Sequence, residues 1–206
     1  MYIAMDMNMR KYDMRARQLA KDATRDAIID AAIDAFEAER SFSITLPAVA
    51  ERADVTVKTV LRHFGNRDAL IDAAWQRLFD DIRAEREPPP DDPDTALKVL
   101  IEHYERRGTM VLAMLAQEDK DPRAQRMNSV GRRGHRAWVK QVFDTQLPEP
   151  PAARSRLVDM LVVATDVYTW KLLRHDRGLS VDDVSDRMLL MTEALLTAPT
   201  RHRTGG

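Results

Sequence analysis

The sequence has no cysteine among its 206 residues, which excludes disulfide bonds, thiolate metal sites and a cysteine nucleophile. Long apolar runs are also absent, since no segment approaches the roughly 18 apolar residues that a membrane span requires. The first residues, MYIAMDMNMRKYD, lack the apolar core of a signal peptide. These absences predict a cytoplasmic protein that does not enter a membrane.

Signatures of catalysis are equally scarce. The chain holds only 7 glycines, and none of them belongs to a phosphate-binding loop. Its 5 histidines show no metal-ligand spacing, and no Ser/His/Asp grouping is attached to a nucleophile elbow. We therefore expect no catalytic residue, no metal, no cofactor and no enzyme activity.

The residues that are present have an ordinary globular composition, with 44% hydrophobic and 32% charged side chains. The net charge of −1 gives no indication of a nucleic-acid partner. Apolar residues recur at helical spacing and nowhere alternate as in a strand, which predicts an all-α fold. Prolines at residues 88–93 and 148–151 predict breaks between helices, and the first of them marks a domain boundary. Gly108 predicts a bend or a split in the helical segment around it.

Residues 45–70, TLPAVAERADVTVKTVLRHFGNRDAL, have the spacing of a helix-turn-helix followed by the start of a third helix. Thr45 and Thr56 can each cap a helix, and Asn66 or its neighbour can cap the next one. Asp54 suits the turn between the first two, because aspartate tolerates a left-handed backbone conformation.

The second helix of this motif predicts a DNA-facing surface. From Val55 to Arg67 there are three cations, one histidine and no carboxylate, so phosphates would meet no repulsion. Val60 and Phe64 should face the core. Lysine, arginine and the capping threonine suit phosphates, while Val57, Thr59 and Leu61 suit base edges. The candidate DNA contacts are Thr45, Thr56, Val57, Lys58, Thr59, Leu61, Arg62, His63 and Arg67. On spacing alone, a pair of ordinary solvated helices is equally compatible.

Residues 25–75 resemble the DNA-binding domain of TetR/AcrR-family transcriptional regulators. The matching positions are Ile28-Ile29-Asp30-Ala31-Ala32, Ala35-Phe36, Thr45-Leu46, Val49-Ala50, Ala53, Val55-Thr56, Thr59-Val60, Arg62-His63-Phe64, Arg67-Asp68 and Leu70. Four positions depart from the family pattern: Ser41, Asp54 and Lys58 stand where glycine is usual, and Leu61 replaces a tyrosine. The resemblance implies a homodimer that binds operator DNA, normally as a repressor. It also implies a C-terminal pocket for a small-molecule effector.

Together these observations predict five regions. We expect a flexible basic arm at residues 1–15 and an N-terminal three-helix helix-turn-helix domain at 16–66. A connecting helix should span 67–87, and a larger C-terminal helical domain for effector binding and dimerisation should span 94–199, followed by a tail at 200–206. The arm could follow the DNA backbone, enter a minor groove or remain a solvated tail.

The effector pocket should draw on aromatic and methionine side chains, which line adaptable apolar sites. Asp166 is a polar candidate because a carboxylate within an apolar helix needs a cation, a ligand or water; Lys171 or an arginine of residues 122–146 could be that cation. All of these candidates are also compatible with plain core or interface roles. They are His103, Tyr104, Met110, Met114, Trp138, Met160, Asp166, Tyr168 and Trp170.

Two helices, at about residues 152–175 and 181–197, should carry the dimer interface. The segment LVDMLVVATDVYTWKLL is apolar on almost all sides, and the last helix repeats apolar residues at seam-like spacing. Two such helices suit an intersubunit four-helix bundle. The interface candidates are Leu157, Leu161, Ala164, Val184, Met188, Met191 and Leu195.

The function predicted from the sequence is a dimeric repressor that binds a palindromic double-stranded operator and is released by an effector. A helical interaction protein, or a ligand-independent regulator with altered or lost DNA recognition, is the alternative. The departures at Ser41, Asp54 and Leu61 favour that alternative.

Overall fold

The structure, a computed structural model, describes residues 2–40, 43–89 and 92–198, and only the backbone of residues 2–13. Across these ranges the chain forms helices and no strand, which confirms the all-α prediction. No helix there is long and apolar enough to cross a membrane. The α-helices are α1 (Tyr2–Glu39), α2 (Leu46–Arg52), α3 (Val57–Phe64), α4 (Arg67–Glu85), α5 (Pro93–Leu115), α6 (Pro122–Val142), α7 (Pro151–Ala164), α8 (Val167–Lys171) and α9 (Val181–Thr197).

The chain divides into two compact units between Leu78 and Phe79, a point inside α4. Residue 41, one of the family departures, and the tail predicted at residues 200–206 lie outside the described residues. This single division does not test the bounds of the five predicted regions, which remain predictions.

In the first unit, α1 to α3 and the start of α4 enclose a small core. Its fully buried side chains come from every helix of the unit, as the apolar periodicity predicted. They include Ile28, Ala32, Phe36, Val49, Val60, Leu70 and Ile71.

Helix α1 begins at Tyr2 and not near residue 16, so residues 2–15, for which we expected a flexible arm, have a helical backbone. The sequence contains no glycine before Gly65 and no proline before Pro47. Neither of the strong helix breakers is therefore available to end the helix within this segment.

In the second unit, α5, α6, α7 and α9 pack around a larger core, with α8 against α5. The core includes Leu97, Leu100, Val139, Phe143, Val158, Leu161, Trp170, Val184 and Met188. A single 3₁₀ turn (Asp144–Gln146) follows α6, and a π-helical turn (Leu172–Asp176) follows α8.

Two sequence predictions about this unit are wrong. Gly108 neither bends nor splits a helix, because α5 runs through it without interruption. The segment at residues 152–175 is not one helix, since it breaks between Ala164 and Val167. The Thr165 hydroxyl donates to the Leu161 carbonyl at 2.8 Å, and Asp166 Oδ1 accepts from the Tyr168 N–H at 2.9 Å. These side chains satisfy backbone groups at the break.

Candidate nucleic-acid interface

Local side-chain caps define the helix-turn-helix. Thr45 Oγ1 accepts from the Ala48 N–H at 3.3 Å, and Thr56 Oγ1 accepts from the Thr59 N–H at 3.1 Å. Asn66 Oδ1 accepts from the Ala69 N–H at 2.8 Å at the start of α4. All three predicted caps are confirmed, so the helix boundaries follow from the sequence itself.

The turn between α2 and α3 depends on Asp54. Its φ angle is +51°, in the left-handed region where the family usually places glycine. The following Val55 N–H donates to the Ala50 carbonyl at 2.9 Å, which closes the turn. The prediction that aspartate preserves this turn is confirmed.

Helix α3 presents a basic, exposed face. Lys58, Leu61 and Arg62 are exposed, and their i, i+3, i+4 spacing places them side by side. Val60 is fully buried beneath them. An α-helix with its side chains is about 10–12 Å across, which fits the width of the DNA major groove of about 12 Å. This face can enter the groove with two cations and no carboxylate on α3.

The remaining predicted contacts differ in accessibility. Thr45 and Thr56 are exposed at the helix starts, while Val57, Thr59 and His63 are half-buried. The Thr59 hydroxyl also lies 3.0 Å from the Thr56 hydroxyl. Phe64, predicted to face the core, is only half-buried, and the Arg25 guanidinium lies over its ring at 4.8 Å from the centroid.

Arg67 has a structural role that the sequence did not reveal. Its Nε donates to the carbonyl of buried Ile44 at 2.7 Å, which ties the start of α4 to the segment just before α2. Its Nη1 lies 3.8 Å from the adjacent Asp68 carboxylate. Substitution of Arg67 would therefore disturb the motif itself as well as any phosphate contact.

Cations of α1 extend the basic surface. Burial, followed by the positive charges of Arg62, Lys21 and Arg25, lowers the pKa of His63. Its ring is therefore neutral at pH 7. Because the charges of Lys21 and Arg25 act on this ring, these two cations of α1 lie near the end of α3. The i, i+4, i+8 spacing of Arg17, Lys21 and Arg25 was the sequence signal for such a basic stripe.

The predicted effector residues differ in their exposure. Met160 and Tyr168 are about half exposed, whereas six others are buried: His103, Tyr104, Met110, Met114, Trp138 and Trp170. Asp166 caps α8, and burial raises the pKa of its carboxyl, while the hydrogen bond from the Tyr168 N–H and then the charge of Arg132 oppose this rise. Lys171, one predicted partner of Asp166, instead pairs with Asp176 at 2.8 Å.

The predicted dimer residues need a correction. Leu161, Ala164, Val184 and Met188 are buried within a single chain, where α7 packs against α9, so they are core residues. Leu157, Met191 and Leu195 are half-buried. The large apolar side chains that remain exposed on or near these helices are Met160, Val163, Tyr168, Leu172, Val181 and Leu190.

The basic side chains of α6 pair largely with neighbouring groups. Arg132 donates to Glu118 at 2.7 Å, and Arg136 donates to Asp159 at 2.5 Å. Arg132 also lines an open surface groove of about 550 Å³ together with Glu118 and Ser129. Among the described residues no cluster of His, Asp and Glu side chains could hold a metal ion.

Comparison with known proteins agrees with this geometry. Residues 28–74 match the model of the family described as bacterial regulatory proteins, tetR family. Over 163 residues the chain is 27% identical to the HTH-type transcriptional repressor KstR of Rhodococcus jostii (strain RHA1), covering 75% of this chain and 74% of the relative. The fold is similar to the crystal structure of a protein from Rhodococcus sp. assigned to the TetR family of transcriptional regulators. The TM-score is 0.61 at 20% identity, over 85% of this chain and 100% of the other. The capped helix-turn-helix and the family match to it lead to one conclusion: residues 28–74 form a DNA-binding domain of the tetR-family type, and the chain is a DNA-binding transcriptional regulator.

Proposed function

We propose that the chain is a homodimeric repressor that binds a near-palindromic operator and releases it when a small-molecule effector binds to the second unit. The observation that carries this proposal is the exposed, acid-free face of α3 above a buried Val60. Repression is favoured because the relative KstR, 27% identical, is a transcriptional repressor.

The DNA contacts follow from exposure and charge. Lys58 and Arg62 bind phosphates, and Leu61 lies between them, where an apolar side chain can touch a thymine methyl group. Lys21 and Arg25 of α1 add phosphate contacts beside α3. Thr45 and Thr56, at the starts of α2 and α3, contact the DNA backbone.

Dimerisation uses exposed apolar side chains near the end of the chain. Val163 on α7 is 67% exposed and Leu190 on α9 is 61% exposed. Such side chains gain stability when a second copy covers them. A two-fold dimer places its two α3 helices about 34–36 Å apart, so the operator consists of two half-sites one helical turn apart.

Effector release requires only a modest difference in affinity. An effector that prefers the non-binding conformation about 100-fold supplies about 2.7 kcal/mol, enough to lower operator affinity 100-fold at saturation. The helix α4 belongs to both units of the chain and is the element through which this preference reaches α3.

The experiment begins with selection of genomic DNA fragments by the purified protein. Operator affinity is then measured by fluorescence anisotropy at several salt concentrations for wild type, Lys58→Ala and Lys98→Ala. Lys98 is an exposed lysine on α5 and serves as the matched control. We expect Lys58→Ala to weaken binding and to reduce the slope of log affinity against log salt by about 1.

Lys98→Ala should change neither the affinity nor the slope. If both variants bind like wild type, α3 does not carry the DNA contact. If the wild-type protein selects no fragment with salt-dependent affinity, the helical interaction protein becomes the better description.

A further inference from the structure

Arg86 lies in a group of polar side chains in the second unit. Its Nη2 donates to His135 Nδ1 at 3.0 Å, and its guanidinium carbon lies 5.2 Å from the ring centroid of Trp138. The Trp138 indole N–H donates to the Arg86 carbonyl at 2.9 Å. One indole therefore holds both the backbone and the side chain of Arg86, and the guanidinium has a defined position.

The hydrogen bonds around Arg86 require a neutral histidine. Because an arginine can only donate, His135 Nδ1 must accept, and its Nε2 carries the proton. That Nε2 donates to Thr165 Oγ1 at 3.0 Å, and the Thr165 hydroxyl donates to the Leu161 carbonyl at 2.8 Å. Burial, together with the charge of Arg86, lowers the pKa of His135 to about 3.

Two further rings within the electrostatic range of Arg86 are neutral as well. Burial and the charge of Arg86 lower the pKa of His103 to about 4, although the Glu85 carboxylate, 3.5 Å from His103 Nδ1, opposes this shift. The buried Tyr104 phenol donates to the Thr165 carbonyl at 3.0 Å, and burial raises its pKa. At pH 7 the rings of His135, His103 and Tyr104, which the charge of Arg86 influences, are thus all neutral.

No carboxylate of the described residues lies within ion-pair distance of Arg86. The adjacent Glu85 instead lies 3.5 Å from Arg106 and 3.3 Å from Arg107. Arg86 Nε is buried and has no hydrogen-bond partner among the described groups. A guanidinium cannot shed its charge by losing a proton, and a desolvated charge is normally paired. Arg86 therefore offers a fixed positive charge and a spare donor.

We propose that Arg86 binds the anionic head group of the effector, which makes the effector an organic carboxylate. This inference rests on the proposed effector response. The planar fork of a guanidinium matches the two oxygens of a carboxylate, and the Trp138 ring stacked against it provides an apolar wall for the adjoining carbon chain. Arg86 directly follows the last residue of α4, so the charge is neutralised at the end of the helix that connects the two units.

The test uses probes that share a carbon skeleton and differ only in the head group. Octanoate, octanamide and octanol form one set, and 4-phenylbutyrate with its amide and alcohol forms another. Calorimetric titration measures binding to the full-length wild type, Arg86→Gln and Arg83→Gln. Arg83 is an exposed arginine in the last turn of α4 and serves as the matched control.

We expect wild type and Arg83→Gln to bind the carboxylate of at least one set about 10-fold more tightly than its amide and alcohol. Arg86→Gln should abolish this preference while it keeps affinity for the neutral probes and for operator DNA. Equal affinity for carboxylate and amide, a preference that survives Arg86→Gln, or no binding of either carboxylate would overturn the proposal.

Operator release is measured separately by anisotropy with the same probes. If a neutral probe binds and releases DNA while the carboxylate shows no preference, the effector response stands and the role of Arg86 is wrong. If the carboxylate binds through Arg86 but the operator stays bound, the anion site stands and the proposed release fails.

Discussion

Among the described glycines of the second unit, Gly108 should be the position at which a single added methyl group is most damaging. A Cβ at residue 108 would lie 2.5 Å from Trp170 Cζ3 and 2.7 Å from Trp170 Cη2, well inside contact distance. The ring cannot withdraw freely, because it is 2% exposed and its Nε1 donates to Glu105 Oε1 at 2.7 Å. Gly108→Ala must therefore shift a buried indole or the α5 backbone.

Two opposing effects set the magnitude. Overpacking of a filled core costs about 1–3 kcal/mol, whereas alanine is favoured over glycine inside a helix by about 1 kcal/mol. The 2.5 Å approach places this site in the upper part of the overpacking range, at about 2–3 kcal/mol, so we expect Gly108→Ala to lower the free energy of unfolding by about 1–2 kcal/mol. Gly131→Ala is the matched control, because Gly131 lies inside α6 and a Cβ there would meet nothing within 4 Å. That variant should be more stable than wild type by about 0.5–1 kcal/mol.

Urea unfolding followed by circular dichroism, at one fixed protein concentration, measures both values. The same substitution is then made in a Trp170→Phe background, which lacks the clashing benzo ring of the indole. The destabilisation by Gly108→Ala should vanish or reverse there. Equal stability of the Gly108→Ala and Gly131→Ala variants, or an equal loss in both backgrounds, would refute the reasoning.

Three further predictions concern pH, assembly and the DNA-binding motif. The pKa of His135 is about 3 in the folded chain against an ordinary 6.5, so the unfolded chain binds more protons between these values and stability falls as pH drops below 6.5. Urea unfolding should show a loss of about 2 kcal/mol from this residue between pH 7 and pH 5; a His135→Gln variant with the same pH dependence would contradict it. Val163→Asp and Leu190→Asp should each shift the protein from dimer to monomer in analytical ultracentrifugation, and an unchanged mass would remove α7 and α9 from the proposed interface. Arg67→Ala should lower both the melting temperature and the operator affinity, because the 2.7 Å hydrogen bond to the Ile44 carbonyl is lost. Lys58→Ala should lower the operator affinity alone. An unaltered melting temperature for Arg67→Ala would exclude the structural role of Arg67.

Features that depend on neighbours in sequence could be predicted. The caps at Thr45, Thr56 and Asn66 need only a hydroxyl or amide three residues before a free N–H. The turn at Asp54 needs only a residue that tolerates positive φ. The α3 face that carries Lys58 follows from the same local geometry, so most of the candidate DNA interface was accessible from the sequence.

Features that depend on distant partners could not be predicted in this way. Gly108 looked like a helix breaker because its true neighbour, Trp170, is 62 positions away in the chain. Arg67 looked like a phosphate ligand because nothing local shows that the Ile44 carbonyl needs a donor. Nothing local distinguishes Arg86 from any other arginine at the end of a helix, because its neutral partner His135 is distant in the sequence.

The dimer residues show why periodicity alone assigns the wrong face of a helix. Helices α7 and α9 each carry apolar side chains on more than one side, and the same spacing rule selects Leu161 and Val184 as readily as Val163 and Leu190. The first pair is fully buried in a single chain, where α7 and α9 meet, so it is unavailable to a partner. A helix that is apolar all round must be covered twice, once by its own chain and once by something else. The exposed pair is the side that remains to be covered, which is why the interface proposal rests on Val163 and Leu190.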